Sequence, residues 1–105
     1  MKPCDELDIL TEIKEYMADA ENCLQCGIYN ITGGFYKDSL NRSYYCIFNA
    51  MCACLLIIGF TDFKKHSGVI SKFRELLIKP NILPRVLSDT IGKLEEYRNN
   101  GDSAV

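Results

Sequence analysis

Between about Phe35 and Ile58 the chain carries a helix-length segment that is apolar on nearly every side. Leu40, Tyr44, Ile47, Phe48, Met51, Leu55, Leu56 and Ile58 leave no broad polar face, and Gly59 supplies a stop. A helix with apolar residues all round is expected at the centre of a packed domain. Its longest uninterrupted apolar run, Ala50 to Phe60, falls well short of the roughly 20 residues that a membrane span needs. Other elements must therefore surround this segment, and only 105 residues are available to form them. That length fits one domain with one modest core.

Three flanking segments have the required pattern. From Asp5 to Gln25, the residues Leu7, Leu10, Ile13, Met17, Ala20 and Leu24 recur at three- and four-residue steps. This spacing predicts an amphipathic helix, started near Pro3 and Asp5 and ended by Gly27. Gly33-Gly34 then marks a loop. A third helix is predicted over Phe63 to Ile78, with Val69, Ile70, Phe73, Leu76 and Leu77 inward and Pro80 helping to end it. A fourth is predicted from Pro84 to Asn100, with Val86 or Leu87, Ile91, Leu94 and Tyr97 as its stripe and Gly101 as its end. No strand pattern competes. Short connections favour antiparallel neighbours, so the expected fold is all-α: a single-domain, up-and-down bundle of four helices.

Net charge is −2, which provides no bulk attraction to nucleic acid; such binding would need a local basic patch. Lys64, Lys65, Lys72, Arg74 and Lys79 could form one, although a solvated face is the plainer reading. Met1 to Leu10 carries three acids and no apolar segment, so no signal peptide is expected. A cytoplasmic chain without a membrane anchor follows. Its six cysteines are then expected to be mostly reduced. Cys23-Leu24-Gln25-Cys26 suggests zinc or redox chemistry, with Cys46, Cys52 and Cys54 as sources of further ligands. On a helix, however, Cys52 and Cys54 point about 200° apart and cannot grip one ion. Small buried hydrophobes are the favoured reading, with no metal and no cofactor expected.

The unusual part of the central helix is polar. Arg42, Tyr45, Asn49 and Cys52 follow at steps of three, four and three, which places them on one stripe. A buried arginine needs partners, because an unpaired buried charge is very costly. Asp38 lies four residues earlier, in the favourable acid-first order, and Glu95 or Asp102 could reach over from the fourth helix. That helix ends in a second polar knot, Glu95-Glu96-Tyr97-Arg98-Asn99-Asn100-Gly101-Asp102. Arg98 near a helix C-terminus has a purely structural account in the helix dipole. The functional account sets Arg98 and Asp102 opposite the Arg42 seam. Two arginines, an asparagine and a phenol would suit a phosphate with its sugar or base. His66 is the only histidine; a lone histidine near a helix start is usually structural.

Gly34-Phe35-Tyr36-Lys37-Asp38-Ser39-Leu40-Asn41-Arg42-Ser43-Tyr44-Tyr45-Cys46-Ile47-Phe48 resembles the signature of HEPN-domain proteins of the small bacterial and archaeal branch. The segment Gly59 to Ile70, Phe73 and the ending Tyr97 to Asp102 resemble the family's later blocks in order and spacing. The resemblance implies a helical bundle, usually a homodimer, tied to nucleotide or RNA chemistry. It also implies a toxin encoded beside a nucleotidyltransferase-type antitoxin. Ribonuclease members follow their arginine, four to six residues on, with a histidine. Arg98 matches that arginine, but Asp102 and Ser103 stand where the motif should end. The family usually continues into a fifth helix, whereas this chain stops at Val105.

Three readings follow. The first is a non-catalytic or weakly catalytic HEPN module that binds a nucleotide, an RNA segment or its partner through Arg42, Tyr45, Asn49, Arg98 and Asp102. The second is an active, metal-independent ribonuclease toxin with an atypical site, with Arg98 and Asp102 at the catalytic position and His66 beside the ligand. The third is an interaction bundle in which Arg42 is a structural anchor.

Overall fold

A computed structural model describes residues 4–61 and 66–103, with side chains for 8–61 and 68–98. The element order is α1 (Cys4–Thr32), α2 (Tyr36–Ile57), α3 (His66–Phe73) with a π turn at Arg74–Ile78, and α4 (Arg85–Ser103). No strand occurs among the described residues. The chain is an all-α antiparallel bundle, as its periodicity predicts. The predicted start of the third helix at Phe63 lies outside the described residues, as do Lys64 and Lys65.

The core forms between α2, α3, the π turn and α4. It comprises Tyr44, Met51, Cys52 and Leu55 with Val69, Ile70, Phe73, Leu77, Ile78 and Ile91. The expected inward residues of the third helix are therefore inside, and α2 is the central element. On α4 the expectation is half right. Ile91 is buried, but Val86, Leu87 and Tyr97 are exposed, because only part of that helix's apolar surface finds a neighbour.

Helix α1 departs most from the sequence reading. It runs straight through Gly27 for 29 residues, a length of roughly 44 Å. Gly27 is buried against α2, where the Ser39 hydroxyl donates to its carbonyl at 2.8 Å. The helix ends instead at Gly33-Gly34. Gly34 has φ +82, Phe35 N–H reaches Asn30 O at 2.7 Å, and Gly34 N–H reaches Ile31 O at 3.1 Å. This Schellman closure needs a left-handed residue, which Gly27 never becomes. Gly59, at φ +93, closes α2 the same way, with Phe60 N–H on Leu55 O at 2.9 Å. Gly101 lies within α4, which continues to Ser103.

Among the described residues α1 packs against α2 and no other element. Ile9, Ile13, Tyr16, Ala20, Cys23, Gly27 and Asn30 are its buried and half-buried positions among the described residues, at alternating steps of four and three. Leu10, Met17 and Leu24, predicted inward, are 54%, 51% and 47% exposed. The apolar stripe is wider than the strip that α2 covers. One flank of α1 is left apolar and open.

Candidate functional site

The other flank of the α1–α2 seam is polar. Arg42, Tyr45 and Asn49 line a cleft of about 380 Å³ together with Asn41 from α2 and Asp19, Asn22 and Cys23 from α1. The steps of three and four along α2 put the first three side chains on one face, as the sequence predicts. Cys52 continues that stripe but is buried in the core. The Asn49 side-chain amide donates to the Tyr45 carbonyl one turn back at 2.9 Å, which holds it beside the cleft.

Tyr45 stands between two arginines. The Arg42 guanidinium lies 5.6 Å from the Tyr45 ring centre. Arg98, from α4, lies 5.4 Å from the same ring and donates from Nη2 to the Tyr45 hydroxyl at 3.1 Å. Arg98 also covers the Tyr44 ring at 4.7 Å. Tyr44 meets Tyr45 edge-on, with centroids 5.3 Å apart, and stacks on Phe48 at 6.3 Å. Cations over aromatic faces are attracted by the ring quadrupole, more strongly where water is partly excluded. Burial raises the Tyr44 pKa; Arg98 pulls it down, and Glu95 and Tyr45 push it up. Tyr44 is therefore a neutral phenol at physiological pH.

Of the carboxylates expected to neutralise Arg42, Asp38 and Glu95 have described side chains and Asp102 does not. Among the described residues the ion pairs are Lys72–Glu75 at 2.9 Å and Arg74–Glu95 at 3.6 Å. Neither Asp38 nor Glu95 pairs with Arg42, and Arg42 is half-exposed rather than buried. Its helix did not have to seal it in, because α1 leaves the cleft open beside it. Glu95 is claimed by Arg74, whose Nε also donates to Ser88 Oγ at 2.9 Å and whose Nη2 donates to Ser88 O at 3.3 Å. Sequence reasoning treated Arg74 as a surface cation. The π turn that begins at Arg74 turns the side chain toward α4, and no residue pattern announces that turn. The side chains of His66 and Asp102 lie outside the described residues, so only Arg42, Tyr45, Asn49 and Arg98 of the predicted site residues are brought together.

The cysteines divide by depth. Burial pushes the Cys52 thiol up to about 11, and burial also raises Cys54. Cys46 is raised by burial first and by the neighbouring Cys23 second. Among the described residues, no three histidine, cysteine or acidic side chains converge on a point where they could hold a metal ion.

The arrangement is suited to an anion beside a flat apolar group, since guanidiniums bind oxyanions and tyrosine rings stack. The sequence model of the HEPN domain matches residues 13–103. This chain belongs to the HEPN family. UPF0332 protein PH1297 of Pyrococcus horikoshii is 32% identical over 80 residues, covering 76% of this chain and 56% of that protein. "Putative toxin MJ0142" of Methanocaldococcus jannaschii is 32% identical over 97 residues, covering 92% of this chain and 65% of that protein. A UPF0332 protein of Thermotoga maritima is 29% identical over 90 residues, covering 86% and 67%. The chain thus spans less than two thirds of the length of the first two relatives. No solved structure matches it. No helix among the described residues is long and apolar enough to cross a membrane.

Proposed function

We propose that this HEPN chain is a toxin-related module whose cleft binds the phosphate of a nucleotide or single-stranded RNA, with a base stacked at Tyr45. The observation that carries the reading is Tyr45 between Arg42 and Arg98, with no carboxylate paired to either arginine among the described residues. Cationic groups without a protein counter-ion strengthen an anion site, and a guanidinium can grip a phosphate through two parallel hydrogen bonds. Asn49 and Asn41 would supply neutral hydrogen-bonding groups for sugar or base. Such a module would act in the cytoplasm, beside a nucleotidyltransferase-type antitoxin and as a homodimer. Support for the toxin setting comes from relatives whose printed names say toxin. The exposed flank of α1 supports the dimer.

The test is binding of adenosine nucleotides and a short single-stranded RNA to the parent chain and to Arg98→Ala. Losing a charge-assisted contact of about 1.5–3 kcal/mol should weaken binding roughly tenfold or more. Equal affinities for parent and variant would remove Arg98 from the site. RNA cleavage by the parent, lost in Arg98→Ala, would move the reading to a ribonuclease.

A further inference from the structure

The described thiols are all free, yet two of them occupy facing positions in the α1–α2 seam. The register follows from Gly27, whose neighbours across the seam are Ser39, Arg42 and Ser43. One turn back along α1 from Gly27 is Cys23; one turn forward along α2 from Arg42 is Cys46. Because the helices are antiparallel, these two turns lie side by side. The same register recurs further along, where Tyr16 packs against the core cluster that contains Cys52. The influence of Cys23 on the Cys46 thiol is a sign of the same proximity. Both residues are half-buried, in contrast to the core thiol Cys52 and the exposed Cys26. Gly27 keeps the two backbones close at this point, and a disulfide needs Cα atoms within about 4.4–6.8 Å.

We infer that Cys23 and Cys46 form a reversible intramolecular disulfide that clamps α1 to α2 at the wall of the cleft. The oxidant is a small-molecule disulfide of the glutathione class. The thiolate of Cys23, which lines the cleft, attacks one sulfur of that disulfide and expels one small thiolate. The thiolate of Cys46 then attacks the Cys23 sulfur of the mixed disulfide and expels the second. Two protein thiols have lost two protons and two electrons, and one disulfide has become two thiols. Cys46 directly follows Tyr45, and α1 carries Asp19 and Asn22 into the same cleft. The clamp therefore fixes one wall of the site against the other. Any effect on ligand affinity rests on the nucleotide or RNA reading above; formation of the bond does not.

The experiment equilibrates the full chain in mixtures of oxidised and reduced glutathione, blocks residual thiols and maps linked peptides by mass spectrometry. A Cys23–Cys46 linked peptide within one chain is expected, present in Cys26→Ser and absent from Cys23→Ser and Cys46→Ser. Oxidation should raise the melting temperature of the parent, reversibly with a dithiol reductant, and leave that of Cys46→Ser unchanged. Glutathione adducts on single cysteines, a Cys23–Cys26 bond, or only intermolecular links would overturn the inference. Nucleotide and RNA affinities of the two redox forms form the second arm. A several-fold shift that is lost in Cys46→Ser is expected. Equal affinities with the bond in place would overturn the link to the cleft. Absence of binding in both forms would sink the ligand reading, while the clamp would stand on its peptide map.

Discussion

Tyr45 has a ring that faces two cations and a hydroxyl that accepts from one of them, and the two roles separate by mutation. Tyr45→Phe keeps the ring and removes the bond from Arg98, so a stability loss of about 1 kcal/mol is expected by urea denaturation. Tyr45→Ala also removes the ring from its contacts with Arg42, Arg98 and Tyr44, and should cost about 3 kcal/mol. Equal losses for the two variants would show that the ring contributes nothing beyond the hydroxyl. A second residue-scale prediction concerns Cys52, whose pKa rises from 9.0 to about 11 on burial. A raised folded-state pKa on a group that ionises to an anion means that the folded state favours the neutral thiol. The resulting stability is fully present below pH 9 and is lost as pH rises toward 11. The loss attributable to Cys52 is at most about 2–3 kcal/mol. Thermal melts across that window should show the decline, and Cys52→Ala should flatten it. At this scale the sequence made Arg42, Tyr45 and Asn49 legible as one face, since their steps fit a helix. The bond from Arg98 to Tyr45, 53 residues apart, depends on how α4 crosses α2, which no local pattern encodes. Arg74 was hidden for a different reason: a π turn shifts the register that an α-helical reading assumes.

Glycine was the least legible feature at the scale of elements, because the same residue type stops one helix and passes unnoticed through another. What separates the cases is the backbone angle. Gly34 sits at φ +82 in the closure of α1, where an L-residue costs roughly 1–2 kcal/mol. Gly27 is ordinary helix, and a Cβ there would meet Ser43 Oγ at 3.5 Å, Arg42 Cβ at 3.6 Å and Ser39 O at 3.6 Å. Those are normal contact distances, so there is room for one methyl group. Alanine should therefore have opposite effects at the two sites. Gly34→Ala should lose about 1 kcal/mol, whereas Gly27→Ala should gain about 0.5–1 kcal/mol from helix propensity. Chemical denaturation of both variants checks the pair. A destabilised Gly27→Ala would mean that α1 and α2 sit closer than these distances. Helix existence was readable from apolar periodicity in all four cases. Boundaries were not, because a glycine becomes a stop only when the following residues can complete the closing hydrogen bonds, as Phe35 does on Asn30.

The molecule measures 48 × 27 × 23 Å, and its long dimension is set by α1, an element with one described neighbour. A helix that long buries its seam on α2 and leaves Leu10, Met17, Leu24 and Ile31 exposed at seven-residue intervals, with Ile28 beside them. From the sequence, Leu10, Met17 and Leu24 read as inward, because periodicity reports that a face is apolar and not which molecule covers it; Ile28 and Ile31 fall beyond the helix end expected at Gly27. Apolar rows of this extent on a soluble surface mark association sites, and a seven-residue repeat is the spacing that packs helix against helix. A second copy of the chain is the occupant that the proposed homodimer provides. Met17→Lys with Leu24→Lys would place two charges in the middle of the row, away from the cleft that holds Arg42 and Tyr45. Sedimentation equilibrium should then show the parent chain at twice the monomer mass and the double variant as a monomer. Circular dichroism should show equal helix content in both. A parent chain that stays monomeric at all accessible concentrations would refute the dimer. A double variant that still dimerises would move the interface off α1 and onto the remaining apolar surface, where Ile57, Tyr36, Ile82 and Val86 are the most exposed candidates.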